Sequence, residues 1–170
     1  MVLKIDYSNQ FYVLRKLFRG GILILLVLPF FKFQTGIIVI GLLYYLFISL
    51  PVIYLHTLYY IVNRNLEIVI DEKSLTIKKK NKTFSFKKLD INNIVYCDRS
   101  LSIVNSWNPM DVSMSPYGYI RIVTNYGKSI VITSLMCKNL NDVINEFPGI
   151  TRRRIENPFF RISKMFLIDR

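Results

Sequence analysis

Two apolar runs dominate the first third of the chain. The longer run, Gly36 to Val62, holds 27 residues without a formally charged side chain. At a rise of 1.5 Å per residue, a helix of that length reaches about 40 Å, whereas the hydrocarbon core of a bilayer is about 30 Å thick. The longer run therefore predicts a membrane-crossing helix.

A shorter apolar run, Gly21 to Phe31, precedes the long one. It can span only if it is extended backward, which gives a helix over about residues 14–33 in which the Arg19 side chain reaches back to the headgroups. Together with a second helix over about 36–62, this predicts a two-helix membrane hairpin within residues 1–65. Two alternatives stay open, namely a cleaved signal segment, although no A-x-A-like site follows, and a re-entrant or interfacial segment.

Basic residues flank the predicted hairpin on one side, and a single lysine, Lys32, lies in its connecting turn. Because loops rich in Lys and Arg stay in the cytoplasm, both termini are expected to be cytoplasmic. The predicted location is a bacterial cell inner membrane, crossed more than once. The flanking basic residues are Lys4, Arg15, Lys16, Arg19 and Arg64.

From Leu66 onward the pattern becomes short alternating segments, which is typical of half-buried antiparallel strands. The clearest pair is Tyr119 to Thr124 and Ser129 to Thr133, joined by a turn in which Gly127 suits a positive φ. A helical period follows over Ser134 to Phe147 and ends at Pro148-Gly149. Residues 66–150 are therefore predicted to form a mainly β domain of six or seven strands closed by one helix.

The segments LEIVIDEKSLTIKKKNKTFSFKKLDINNIVY, YIRIVTNYGKSIVIT and NLNDVINEF give residues 66–147 a resemblance to bacterial pleckstrin-homology-like (PH-like) domains that follow a membrane hairpin. This resemblance implies a PH-like barrel of about seven antiparallel strands in two sheets with one C-terminal helix. It also implies a module that binds lipid headgroups or proteins and does not catalyse a reaction. The fold alone does not specify the ligand.

A lysine cluster on the first predicted hairpins is the strongest charge feature. Beside a membrane, such a cluster is expected to lie against anionic headgroups. The alternative is a solvated hairpin whose lysines discourage edge pairing, with Phe84 and Phe86 in the core. The cluster consists of Lys78, Lys79, Lys80, Lys82, Lys87 and Lys88.

Two further candidate contact regions follow along the chain. Trp107 lies in a loop predicted over 105–117, where it either contacts a protein partner or folds the loop onto the sheet. Residues 151–170 form a basic, aromatic tail that either lies on the membrane or a partner or packs back on its own domain. The basic candidates in this tail are Arg152, Arg153 and Arg154.

The remaining composition excludes several function classes. A net charge of +12 agrees better with an anionic membrane surface than with nucleic acid, because no nucleic-acid reader motif occurs. Cys97 and Cys137 lack metal-ligand spacing and are expected to be free, and the only histidine, His56, lies in the apolar run. No catalytic residue, metal site or cofactor is predicted, and the oligomeric state is not specified.

We therefore predict a non-enzymatic membrane protein whose cytoplasmic PH-like domain binds anionic lipid headgroups or a protein partner. The alternatives are an accessory subunit of a larger membrane complex and, less favoured, an oligomeric transporter or channel component.

Overall fold

The computed structural model describes residues 1–27, 35–97 and 116–155. Within these ranges the strands form two four-stranded sheets, sheet A in the order β1-β2-β3-β4 and sheet B in the order β7-β6-β5-β8. The elements in chain order are β1 (Val2–Lys4), α1 (Tyr7–Val27), α2 (Thr35–Asn63), β2 (Leu66–Ile70), β3 (Ser74–Lys79), β4 (Lys82–Lys87), β5 (Ile91–Cys97), β6 (Tyr119–Thr124), β7 (Ser129–Thr133), α3 (Leu140–Asn145) and β8 (Thr151–Arg154).

Sheet A confirms the antiparallel strands predicted from Leu66 onward and adds a strand to them. The inward positions of β2 and β3 pair across the ladder, as in Ile68 opposite Ile77. On the other side of β2, the N-terminal strand β1 pairs with it in the register Val2 opposite Val69. The predicted domain began at residue 66 and left residues 1–65 outside it, so this strand corrects the predicted boundary. The first strand of the sheet therefore precedes both long helices, which lie between β1 and β2.

Sheet B contains the predicted hairpin of β6 and β7, with β5 beside β6. The strand β8, which the sequence analysis assigned to the tail, pairs in parallel with β5. The helix α3 is shorter than the predicted helix because Asn139 caps it, its side chain accepting a hydrogen bond from the Asn141 backbone amide at 3.2 Å. Apolar side chains of both sheets and α3 form one core, which includes Ile68, Ile70, Leu75, Ile77, Ile94, Ile120, Ile122, Ile132, Val143 and Phe147.

The helices α1 and α2 pack against each other in antiparallel orientation. The Tyr45 hydroxyl donates to the Leu17 carbonyl oxygen at 3.0 Å, and Val13 packs in one cluster with Val52 and Leu55. Their bounds differ from the predicted 14–33 and 36–62, and residues 28–34 lie outside the described part of the chain. By length and composition alone, one helix among the described residues, Ile38–Asn63, could cross a membrane. Two membrane crossings therefore remain a prediction.

The last three turns of α2 pack on the face of sheet B that points away from the main core. Leu55, Tyr59 and Val62 are buried there beside Tyr119 and other side chains of the sheet. At the end of the helix, the buried Asn63 side chain donates to the Val131 carbonyl oxygen at 2.8 Å and accepts from the Thr133 hydroxyl. Because Leu66 already belongs to β2, the helix and the domain are joined both along the chain and through space.

Candidate functional site

An open cleft of about 770 Å³ lies where the two long helices meet sheet A. It forms there because β1 leads into α1 and α2 leads into β2, and β1 and β2 are paired neighbours. The end of β3 and the β3–β4 turn complete the wall. The lining residues are Lys4, Ile5, Tyr7, Gln10, Tyr60, Asn63, Arg64, Asn65, Leu66, Glu67, Lys78 and Lys80.

Two residues with left-handed backbone shape the rim of the cleft. Asn65 has a φ of 58° and reverses the chain between α2 and β2, a conformation that asparagine tolerates well. Lys80 has a φ of 52° in the two-residue turn between the paired residues Lys79 and Lys82. The backbone amide of Lys80 donates to the Asn65 carbonyl oxygen at 3.4 Å, which ties the two rims together.

The cleft is basic. Four cationic residues line it against one carboxylate, Glu67. That carboxylate forms an ion pair with Lys78 at 3.0 Å, and both side chains are partly exposed. Within the described ranges, no acidic group lies within ion-pair distance of Lys4, Arg64 or Lys80. The positive charge of these three residues is therefore left for an anion.

Aromatic side chains border the charged part of the cleft. Tyr7 is 87% exposed at the start of α1, and Tyr60 is 40% exposed near the end of α2. Tyrosine combines an apolar ring with a polar hydroxyl, a character that suits the boundary between lipid and water. Exposed rings next to free cations form a surface that can hold a phosphate group in front of an apolar phase.

The structure separates the predicted lysine cluster into two groups. Lys78 and Lys80 line the cleft, and Lys79 and Lys82 flank the same turn. Lys87 pairs with Ser74 at the opposite end of the β3–β4 ladder. Lys88 is engaged in packing, since its ammonium donates to the Glu146 carbonyl oxygen at 2.7 Å and lies 5.2 Å from the centre of the Phe147 ring.

The predicted arginine group lies apart from the cleft. Arg152, Arg153 and Arg154 form most of β8 at the edge of sheet B. The Arg152 guanidinium donates to the Ile144 carbonyl oxygen at 3.2 Å and so helps to hold the end of α3. Trp107 lies outside the described residues, so the prediction for it stays a prediction.

Lys4, Tyr7, Tyr60 and Arg64 were not among the predicted site residues. Lys4 and Arg64 were predicted only to be basic flanks of the helices. The signal that could have found them is their position immediately before one long helix and immediately after the other. The pairing of β1 with β2 brings these two flanks into one cleft.

Two tyrosines keep the contact between α2 and sheet B uncharged. Tyr117 is completely buried, and its ring packs against Tyr59 with 5.6 Å between centroids. Burial raises the pKa of Tyr117 well above its usual value, and burial is also the main cause that raises the pKa of Tyr119 to about 12. The hydroxyl of Tyr117 lies 3.4 Å from Nδ1 of His56. This histidine therefore contacts the sheet domain and not the cleft.

The strands β1 to β7 are all joined by antiparallel pairing within their sheets, and α3 follows them. A family model described as a PH domain matches residues 5–144. The chain belongs to the PH-domain family. The match to the PH domain takes in α1 and α2 as well as β2 to β7, so it covers most of the chain. No curated protein and no solved structure matches the chain.

Proposed function

We propose that this protein is a non-catalytic binding module held at a membrane surface by its long helices, and that its basic cleft binds the anionic headgroups of lipids. One observation carries the proposal: Lys4, Arg64 and Lys80 line an open cleft at the end of a helix that is long and apolar enough to cross a membrane. PH domains commonly bind lipids or proteins, which supports a binding role.

The location of the cleft favours a lipid ligand. Each basic residue close to an anionic membrane surface contributes about 1 kcal/mol of attraction. Lys4 and Arg64 flank the two helices at the same end, because β1 and β2 are paired. By the tendency of basic flanks to stay in the cytoplasm, we assign the cleft and the domain to the cytoplasmic side of a bacterial inner membrane.

A test should use the full chain in a neutral detergent. A fragment that begins at residue 66 would lack β1 and would expose Tyr117 and Tyr119, which α2 covers. Binding of dihexanoyl phosphatidylglycerol would be measured by calorimetry against dihexanoyl phosphatidylcholine and inorganic phosphate. Tighter binding of the anionic lipid than of either comparison ligand is expected for a headgroup site.

The informative variant is Lys4→Gln with Lys80→Asn, since asparagine tolerates the positive φ of Lys80. Loss of two charges worth about 1 kcal/mol each should weaken binding about 30-fold. The matched control, Lys73→Gln with Lys87→Gln, removes the same charge from exposed positions outside the cleft and should change affinity little. Equal effects of the two pairs would show that the cleft is not a headgroup site and would favour the protein-partner alternative.

A further inference from the structure

The exposure of α2 changes along its length. Between Val39 and Phe47 most of its side chains are exposed, whichever way they point around the helix. From Leu50 onward, buried and exposed positions alternate at helical spacing, and the buried ones face sheet B or α1. The exposed ones form a line on the opposite side, which we call the outward stripe. The outward stripe consists of Leu50, Ile53, Tyr54, Thr57, Tyr60 and Ile61.

The sheet beside these last turns cannot enter the hydrocarbon. Within the described residues, sheet B ends in the open strands β7 and β8. Unpaired backbone groups at such edges do not occur against lipid tails, because nothing there can hydrogen-bond to them. An upright helix inserted down to Val62 would bring β7 into the membrane, since α2 contacts that strand directly.

An upright helix that stops above the sheet does not fit either. Only Thr35 to Pro51 would then be available, a length of about 25 Å against a core of about 30 Å. The part of the outward stripe from Ile53 to Ile61 would also stand in water over more than two turns, although four of its five residues are aliphatic or aromatic. The deeper upright arrangement therefore places polar backbone groups in lipid, and the shallower one leaves apolar side chains in water.

The helix α1 limits the depth of insertion independently. The bond from Tyr45 to Leu17 fixes the two helices so that the exposed Arg19 lies near the level of Tyr45. One turn closer to the domain, the Arg15 guanidinium lies 4.1 Å from the centre of the Tyr12 ring. Beyond Arg19, the described part of α2 extends from Tyr44 back to Thr35, which is about 15 Å and half of the hydrocarbon thickness.

We propose that the helix pair enters the bilayer obliquely and reaches only about one leaflet deep, with the outward stripe of α2 lying at the boundary between headgroups and acyl chains. This arrangement covers the stripe with lipid, keeps sheet B outside and leaves Arg15 and Arg19 among the headgroups. Because Tyr60 belongs to the stripe and also lines the cleft, the cleft faces the headgroup layer. The proposal rests on the proposed membrane location and is an alternative to the expectation of two crossings.

Depth-dependent fluorescence quenching in phosphatidylcholine–phosphatidylglycerol vesicles tests this directly on the full chain. Single cysteines carrying an environment-sensitive dye would be placed in a Cys137→Ser background, and the unsubstituted background reports any labelling of the fully buried Cys97. The label sites are Gly36→Cys, where an added Cβ meets open space, and Ile53→Cys on the outward stripe. The control is Asp71→Cys on the exposed β2–β3 turn.

One-leaflet insertion predicts that the label at residue 36 loses more fluorescence to a quencher near the acyl-chain end than to one near the headgroup. It predicts the reverse order at residue 53 and no quenching at residue 71. Shallow quenching at residue 36, or water-like emission at residue 53, would overturn the proposal while leaving the membrane location intact. If the protein does not float with the vesicles, the proposed membrane location fails as well.

Discussion

The contact between α2 and sheet B contains one buried amide, and its removal is the most direct test of this contact. Asn63 is completely buried, and its side chain satisfies the Val131 carbonyl oxygen and the Thr133 hydroxyl at once. In the variant Asn63→Ala both groups stay buried without this partner. A buried unsatisfied polar group costs about 1–3 kcal/mol. Because the Thr133 hydroxyl still accepts a hydrogen bond from the Leu135 amide, we expect a loss of about 2–4 kcal/mol in the free energy of unfolding for the two groups together.

For a chain of 170 residues, that loss corresponds to a decrease in Tm of about 5–15 °C. Thermal unfolding followed by circular dichroism in neutral detergent would measure it. The matched control is Asn125→Ala, which removes an exposed amide with a single 3.4 Å bond to the Leu89 carbonyl oxygen, and it should lower Tm much less.

A double-mutant cycle sharpens the same test. Thr133→Val removes the hydroxyl that Asn63→Ala leaves without its partner, so the double variant should lose less stability than the sum of the two single losses. An additive cycle, or a decrease in Tm for Asn63→Ala no larger than that for Asn125→Ala, would refute the role assigned to this amide.

Three further predictions concern the sheet domain. Burial raises the pKa of Tyr119 to about 12, so the neutral Tyr119 hydroxyl stabilises the folded state fully below about pH 10. This stabilisation is lost as the pH rises toward 12, and the unfolding midpoint should fall over that range. Tyr119→Phe should make this alkaline fall in the midpoint smaller. Gly118→Ala places a Cβ 2.7 Å from a backbone oxygen of β5 and should cost about 1–3 kcal/mol in chemical unfolding, whereas Gly41→Ala, in open space, should not destabilise the protein. Lys88→Gln removes the ammonium that binds Glu146 and should destabilise the domain by about 1 kcal/mol without changing lipid affinity; a loss of lipid binding would contradict its assigned structural role.

The placement of α1 and α2 between β1 and β2 explains why the basic cleft forms. The strand before the helices and the strand after them are neighbours, so the β1–α1 and α2–β2 connections lie side by side. Each connection contributes a cation to the cleft, Lys4 from the first and Arg64 from the second. A helix pair attached to one end of the domain by a long linker would have no such cleft.

Local patterns determined much of the sheet domain. Alternation of apolar and polar residues predicted β2, β3, β4, β6 and β7, because successive side chains of a strand point to opposite faces of its sheet. In β7 both faces are buried, since α2 covers one of them. The strands β1 and β8 were not predicted, for two different reasons. The strand β1 has only three residues, which is too short for an alternating pattern to be recognised. All four residues of β8 are exposed, so this strand has no buried face to produce such a pattern. The helix predicted from Ser134 was too long, since Leu135 and Met136 are buried in a turn before α3 begins.

The sequence by itself determined an uncharged helix of membrane length, a basic surplus around it and a mainly β domain. These properties are local, because they depend on residues a few positions apart. The tertiary structure alone decided that Lys4, Arg64 and Lys80 share one cleft and that α2 divides into a face against sheet B and an outward stripe. Those features depend on β1 pairing with β2 across more than sixty intervening residues, and on Asn63 meeting Val131 and Thr133, contacts that no periodicity within a segment can encode.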